Sequence, residues 1–161
     1  MREIVPDLFS VRDSCRVYLL RRGDEGVLVD FGTGLVLGHL AEAGVTRVQD
    51  VLLTHHHRDQ ASGLLSASGL PVWVGHQEQD LVARVDEHWQ GREVYNSYNN
   101  RQDRFSLRQT VPIAGTLKDY SSPAFAGRSF SVLPTPGHTV GSLTLLAEVA
   151  GQRLAFVGDL L

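Results

Sequence analysis

The sequence of 161 residues contains one cysteine, no surplus of basic residues and no long apolar run. Cys15 alone cannot form a disulfide within the chain. The chain has 15 Lys and Arg and 18 Asp and Glu, which gives a net charge of -3. This charge argues against a nucleic-acid partner, which requires a basic surface. No apolar stretch is long enough to span a membrane, and residues 1–6 lack the basic start and apolar core of an export signal. We therefore expect a cytoplasmic protein without a membrane partner.

The hydrophobic content of 42% is sufficient for one globular domain over residues 1–161. Strand-like and helix-like patterns alternate in its first half, which is typical of parallel strands joined by crossover helices. The predicted elements are a β-hairpin over residues 16–21 and 26–30, a helix over 35–43, a strand over 48–54, a helix over 60–67, a strand over 71–75 and a helix over 78–89.

Residues 91–127 show no firm period and are rich in Asn, Arg, Ser and aromatic residues. We predict a loop insertion there, between the two histidine-containing runs described below. The loop could shape a substrate pocket with Tyr95, Tyr98, Phe105 and Arg101 or Arg104. The alternative is a solvated surface excursion.

The most informative run covers residues 54–60, with the sequence THHHRDQ, directly after the apolar residues 51–53. Side chains that alternate by two along an extended segment point the same way, so His55 and His57 can converge on one ion while His56 points elsewhere. Asp59 is one further step along this alternation. Imidazole nitrogens with a carboxylate oxygen suit zinc, iron or manganese. The run therefore predicts part of a metal site, which needs further ligands.

Two later runs supply further ligand types, each after a strand-like segment. Residues 134–142 read PTPGHTVGS, and their prolines and glycines fix the backbone path that carries His138. Residues 154–159 read LAFVGD and end an apolar strand with Asp159. An Asp after Gly at a strand end is also common turn chemistry, so Asp159 taken alone favours a structural role.

These residues resemble the metallo-β-lactamase superfamily, which includes glyoxalase II-like metallo-hydrolases and whose members share a T-H-x-H-x-D-H run, a later P-G-H-T-x-G-S run and a G-D after a strand. Residues 28–34, LVDFGTG, are similar to the family's first signature, an aspartate and glycine at the end of a hairpin strand. We expect Asp30 to orient neighbouring ligands or to cap a turn rather than to bind metal. The resemblance implies an α+β fold, the αββα sandwich of two mixed sheets flanked by helices. On that basis the chain is the N-terminal half of the fold or a truncated form. We expect either a homodimer or a missing C-terminal segment, because an isolated half would expose a sheet face.

The resemblance also implies the ligand set. His55, His57 and His138 would form the first metal site, with Asp59 in a second site and Asp159 bridging the two ions. Asp59 and Asp159 would in addition orient the attacking hydroxide.

Two departures from the family pattern affect the second site. Gln60 stands where the family has a third histidine, and the chain ends at Leu161, before the family's last histidine ligand. An amide oxygen is a weaker donor to zinc than an imidazole nitrogen. We therefore expect one or two ions, zinc first and iron or manganese as alternatives, with the single site at the three histidines favoured.

Three functions fit these residues. The leading hypothesis is a metal-dependent hydrolase that uses metal-bound hydroxide on an ester, thioester, lactone or phosphoester of a small-molecule substrate. The second is a mononuclear iron dioxygenase of the persulfide type, since histidines with a carboxylate also fit non-haem iron. The third is a non-catalytic fragment or degenerate metal-binding module, which Gln60 and the end at Leu161 motivate.

Overall fold

The computed structural model describes residues 1–93 and 105–160, which form two β-sheets and several short helices. The first sheet has seven strands in the order β1-β2-β3-β4-β5-β6-β7, and the second has four in the order β11-β10-β9-β8. The strands are β1 (Arg2–Val5), β2 (Leu8–Arg12), β3 (Arg16–Arg22), β4 (Glu25–Val29), β5 (Arg47–Leu52), β6 (Val72–Gly75), β7 (Gly115–Leu117), β8 (Ala124–Phe125), β9 (Arg128–Pro134), β10 (Leu143–Val149) and β11 (Gln152–Phe156). The helices are α1 (Arg58–Ala61), α2 (Gln79–Ala83) and α3 (Val85–Glu93), with 3₁₀ helices at Leu35–Ala43, Ser62–Leu65 and His76–Glu78.

The first sheet changes from antiparallel to parallel pairing at β4. Strands β1 to β4 pair antiparallel, because short turns connect them. Strands β4 to β7 pair parallel, and helical segments connect β4 to β5 and β5 to β6. The predicted hairpin and the predicted parallel strands are thus confirmed. The carboxyl ends of β4 and β5 lie side by side, where Val29 is the register partner of Leu52.

The side chains of the first sheet divide between two apolar cores, as the strand period of two requires. Val51 and Leu53 belong to the core on the helix side, whereas Leu52 belongs to the core between the two sheets. All three are fully buried. The helix-side core also contains Val36, Leu64 and Val82, and the intersheet core contains Phe130 and Leu145. Residues 1–93 and 105–160 therefore supply three layers of the predicted four-layer sandwich: helices, first sheet and second sheet.

The predicted helices are present, but they are shorter and less regular than the sequence pattern indicates. Residues 35–43 form a 3₁₀ helix, which ends at Gly44 with a φ of 67°. The helix predicted over residues 60–67 begins at Arg58 and becomes 3₁₀ after Ala61. The helix predicted over residues 78–89 is divided at Arg84, whose φ of -141° and ψ of 48° are not helical.

The loop prediction over residues 91–127 is wrong for β7 and β8. Strand β7 pairs with β6, and β8 pairs with β9, so partners elsewhere in the fold define them rather than a local pattern. Tyr95, Tyr98, Arg101 and Arg104 lie outside the described residues. None of the described helices is long and apolar enough to cross a membrane.

Candidate metal centre

The first two histidines of the site follow directly from the carboxyl end of β5. His55 is 1% exposed and comes three residues after Leu52, the last residue of the strand. His57 immediately precedes α1 and has an extended backbone, with φ of -62° and ψ of 153°. His138 arrives from the loop between β9 and β10 of the second sheet. The site therefore lies where one end of the first sheet meets a loop of the second.

The three imidazoles converge on one point. A ring nitrogen from each of His55, His57 and His138 lies within 4.8 Å of the other two. His57 Nδ1 is 2.9 Å from His138 Nε2, and the three ring centroids are 4.7 to 4.8 Å apart. Nitrogens that bind one tetrahedral ion at about 2.0–2.1 Å are roughly 3.3 Å from each other. The cluster is thus close to the spacing that a metal ion imposes.

The electrostatic state of these rings also favours a cation. Burial lowers the pKa of His55, and burial together with the nearby His56 and His55 rings lowers the pKa of His57 to about 3. Both rings are therefore neutral at pH 7 and offer a lone pair. His55 Nε2 is buried and has no hydrogen-bond partner among the described residues, whereas Nδ1 lies 3.1 Å from Thr54 Oγ1. Because an unsatisfied buried nitrogen is costly, a bound ion that accepts its lone pair fits the site, and imidazoles suit zinc, iron or manganese.

Asp159 lies beside the histidine cluster. Its Oδ2 is 3.6 Å from His138 Nε2 and 4.0 Å from His55 Nε2. Its Oδ1 accepts a hydrogen bond of 3.1 Å from Gln60 Nε2. The Asp159 side chain is 41% exposed, so water reaches it. The carboxylate is placed to serve as a fourth ligand or to hold a water molecule next to the ion.

Asp59 is outside the three-histidine cluster and lies beside it. It borders a cavity of about 230 Å³ together with Gln60 and Asp159. Gln60 is 1% exposed, and its Oε1 has no hydrogen-bond partner among the described residues. The three side chains assigned to a second ion by resemblance therefore share one cavity, but the structure does not bring Asp59 into the group that can hold the first ion.

Gly158 accounts for the position of Asp159. Its φ is 57°, a conformation that glycine adopts at little cost. A Cβ at this position would lie 2.5 Å from Thr54 Oγ1 and 3.4 Å from His55 Nδ1. The end of β11 can approach the histidine run only because residue 158 has no side chain. Gly158 is thus required for steric reasons, in addition to the chemical role proposed for Asp159.

Asp30 supports the cluster from below, as the sequence predicted, through Thr54. One carboxyl oxygen, Oδ1, accepts a hydrogen bond of 2.9 Å from the Thr54 backbone N–H, and both oxygens lie 3.0 Å from Thr54 Oγ1. Burial raises the pKa of Asp30 to about 7. The chain Asp30, Thr54, His55 therefore fixes the first ligand from its far side.

Beside the site lies a buried cluster of polar side chains, formed by His56, Glu78, Ser106 and Thr139, and the sequence analysis did not predict that Glu78 and Ser106 belong to it. His56 points away from the cluster, as predicted: its Nε2 lies 3.1 Å from Ser106 Oγ and its Nδ1 lies 3.1 Å from Glu78 Oε1. Glu78 also accepts a hydrogen bond from Thr139 Oγ1. No local pattern marks Glu78 or Ser106, because each reaches the group from a different part of the chain. Thr139, next to His138 in the PTPGHTVGS run, was the available clue.

A separate cavity of about 470 Å³ lies away from this chemistry. It is lined by residues 64–72 and 110–114, which are mostly apolar, and it contains none of the candidate ligands. The candidate site is therefore the histidine cluster and the smaller cavity next to it.

Known proteins resemble this chain in both sequence and structure. It is 30% identical over 145 residues to a hydroxyacylglutathione hydrolase of Shewanella sp. (strain ANA-3), covering 90% of this chain and 43% of that protein. It is 30% identical over 127 residues to a hydroxyacylglutathione hydrolase of Pseudomonas syringae pv. syringae (strain B728a), covering 78% of this chain and 38% of that protein. The chain thus spans less than half the length of these two relatives.

The fold has a close counterpart among solved structures. A Cronobacter sakazakii metallo-beta-lactamase described by its HARLDQ motif superimposes with a TM-score of 0.76 at 20% identity, covering 96% of this chain and 62% of that one. At this identity the likeness concerns the fold alone, and it confirms the predicted fold class. The family model of the metallo-beta-lactamase superfamily matches residues 11–161. The chain therefore belongs to the metallo-beta-lactamase superfamily.

Proposed function

We propose that this chain carries the metal site of a metal-dependent hydrolase that cleaves a thioester bond. The observation that carries the proposal is the group of three imidazoles of His55, His57 and His138, with Asp159 beside it. The buried Nε2 of His55 has no hydrogen-bond partner among the described residues. Zinc is the ion we expect there, since neutral imidazoles with one carboxylate are its common ligands. Such an ion supplies a Lewis acid and lowers the pKa of the water it binds towards 7.

Different residues of the chain would bind the ion, orient the water molecule and supply negative charge. The three histidines would hold the ion, and Asp159 lies next to them. The carboxylate of Asp159 accepts a hydrogen bond from Gln60 through Oδ1, which leaves Oδ2 to orient a water molecule and to take up its proton. Asp59, which borders the adjoining cavity, would add negative charge that could hold a second cation or position the substrate.

Two observations support a thioester as the substrate: the names of the relatives and an aromatic side chain next to the site. Both relatives described above are named for the hydrolysis of hydroxyacylglutathione, a compound in which sulfur carries the acyl group. In this chain Phe105 is 58% exposed, and its ring centroid is 5.7 Å from that of His57. An exposed aromatic ring next to the proposed ion offers an apolar surface to an acyl group.

The test compares a thioester with the oxyester of the same acyl group, on chain loaded with zinc. We expect release of thiol from an acylglutathione that depends on zinc, and slower cleavage of the oxyester. His138→Ala should lower zinc affinity by at least about 100-fold, since it removes a ligand rather than a supporting contact. His39→Ala is the matched control, because the side chain of His39 is 30% exposed, pairs with Glu42 and is not one of the three grouped histidines. Zinc binding that His138→Ala leaves intact would contradict the proposed site.

Two features favour an iron-dependent dioxygenase as the second candidate. Gln60 replaces an imidazole beside the second site, and His55, His138 and Asp159 form the two-histidine, one-carboxylate set that non-haem iron uses. Oxygen consumption with a glutathione persulfide by iron-loaded chain, without thioester cleavage by zinc-loaded chain, would select this candidate. The Cronobacter motif, HARLDQ, also ends in Asp-Gln, as Asp59 and Gln60 do here, but it has Arg where this chain has His57.

A further inference from the structure

The carboxylate of Glu78 lies in the protein interior at the end of the 3₁₀ helix His76–Glu78, and it is 1% exposed. Its Oε1 lies 3.1 Å from His56 Nδ1, an ion-pair contact whose geometry is not that of a hydrogen bond, and accepts a hydrogen bond from Thr139 Oγ1. Its other oxygen, Oε2, has no hydrogen-bond partner among the described residues. Burial alone would raise the pKa of Glu78, but the contacts with His56 and Thr139 outweigh it and lower this pKa. The group is thus a buried anion that two side chains hold.

These two side chains belong to the two separate segments that carry the proposed ligands. His56 lies between His55 and His57, so its ring fixes the backbone that carries both of those ligands. Thr139 follows His138, and Ser142 Oγ accepts a hydrogen bond of 3.1 Å from the Thr139 backbone N–H. One carboxylate oxygen therefore connects the histidine run after β5 to the loop between β9 and β10.

The second segment is shaped to admit this carboxylate. A Cβ at Gly141 would lie 2.3 Å from Glu78 Cγ and 3.1 Å from Glu78 Cδ. Only glycine at position 141 lets the loop close over Glu78. The Thr139 hydroxyl lies 2.7 Å from Ser142 Oγ, so the loop is also tied to itself at this point. The fit of Gly141 against Glu78 shows a built contact rather than a chance approach of two surface groups.

A buried carboxylate that joins two segments carries a desolvation cost that apolar packing avoids. Apolar side chains of similar volume fill a core at least as favourably, whereas an ionised group must be desolvated and then paired. The presence of a charged group here is therefore better explained by a role in positioning His56 and Thr139 than by a contribution to stability. Short polar contacts to one oxygen restrict the distance between the His56 ring and the Thr139 loop more strictly than apolar packing does.

We propose that Glu78 is a positioning residue of the metal centre, which sets the distance between the ligand pair His55 and His57 and the ligand His138 by holding His56 and Thr139 on one oxygen. The inference rests on the metal site of the proposed function, and not on its substrate. Glu78 touches no proposed ligand side chain directly, so its effect is on the geometry of the three nitrogens. Without its charge the two segments lose their shared anchor, and the histidines hold an ion less tightly and in a less regular arrangement.

Cobalt(II) is the probe that tests this, because its visible absorption reports ligand geometry and needs no substrate. We would compare wild-type chain with Glu78→Gln, which keeps the volume and removes the charge. We expect Glu78→Gln to bind cobalt about tenfold more weakly and with altered visible bands. Asp50→Asn is the matched control: Asp50 is a half-buried carboxylate of β5 that accepts a hydrogen bond of 2.8 Å from Trp73 Nε1. It should keep the wild-type cobalt affinity and spectrum.

A second variant keeps the test decisive if Glu78→Gln does not fold. Thr139→Val leaves the Glu78 side chain unchanged and removes the hydroxyl contacts to Glu78 and to Ser142. We expect a smaller loss of cobalt affinity with a spectral change in the same direction. Wild-type affinity and bands in whichever of these two variants folds would overturn the inference and leave the proposed function standing. A loss no larger than that of Asp50→Asn would overturn it as well. Wild-type chain that binds no cobalt would overturn the metal site itself, and with it both proposals.

Discussion

Replacing Asp30 by asparagine should stabilise the metal-free protein at alkaline pH and change its stability little at acidic pH. Asp30 is 3% exposed, and burial raises the pKa of its carboxyl from 3.8 to about 7. The native state therefore binds this proton more tightly than the unfolded chain does. The resulting stabilisation is fully present below about pH 4 and is lost as the pH rises through about 7. Asparagine carries no charge and escapes this loss.

The size of the effect follows from the shift in pKa. At about 1.36 kcal/mol for each pH unit, a rise from 3.8 to about 7 corresponds to about 4 kcal/mol. A cation at the histidines would favour the carboxylate, so the full effect requires a chelator. His55 and His57 act in the opposite direction, since their pKa values are lowered and the unfolded chain binds those protons more tightly. Both proteins share the two histidines, so the difference between variant and wild type isolates Asp30.

Urea unfolding followed by circular dichroism, over a series of pH values with chelator, measures this difference. Asparagine can still accept the hydrogen bond from the Thr54 backbone N–H, and it tolerates the φ of 58° at position 30. Asp30→Ala loses the charge but also leaves Thr54 without its acceptor, which lowers stability by about 1–3 kcal/mol at every pH. Stability curves of Asp30→Asn and wild type that run parallel from about pH 4 to about pH 8 would refute the reasoning.

Three other predictions concern separate parts of the site. Gln60→His should raise bound zinc from one ion to two per chain, as measured by metal analysis after dialysis; an unchanged count would show that Gln60 does not set the number of ions. Gly158→Ala should destabilise the protein by about 2–4 kcal/mol in urea unfolding, because its Cβ meets Thr54, whereas Gly151→Ala, with similar φ and open space, should cost only about 1 kcal/mol. Cys15 should react with an alkylating reagent at pH 8 far more slowly in the native protein than in urea, because burial raises the pKa of its thiol; equal rates would contradict this.

The sequence predicted the parts of the fold whose cause is local. The apolar positions Val17, Leu19, Val27 and Val29, on either side of the turn residues 22–25, placed the hairpin of β3 and β4. Strand β10 was missed, since Leu143–Val149 is buried at most positions and no hairpin was recognised around it. Strand β7 was missed for another reason: three residues carry no pattern, and pairing with β6 alone makes them a strand.

In the candidate site, too, the residues with a local sequence signal could be predicted and those that depend on distant partners could not. His55, His57 and His138 could be identified because each stands in a short run whose neighbours prescribe a turn or a strand end. Their meeting point could be inferred, because the runs follow strands that end at one edge of the fold. Glu78 could not, since its role depends on Gly141 and Thr139, which lie more than sixty positions away in the chain.

The motif runs specify a scaffold as much as a set of ligands, and this explains how the first site tolerates the departure at Gln60. Thr54 reaches down to Asp30, and Gly158 admits the end of β11 beside it. None of these contacts involves the side chain of residue 60. Gln60 still donates a hydrogen bond to Asp159, so the carboxylate stays next to His138 without the missing imidazole. The departure therefore removes a donor from the adjoining cavity and leaves the three-histidine geometry in place.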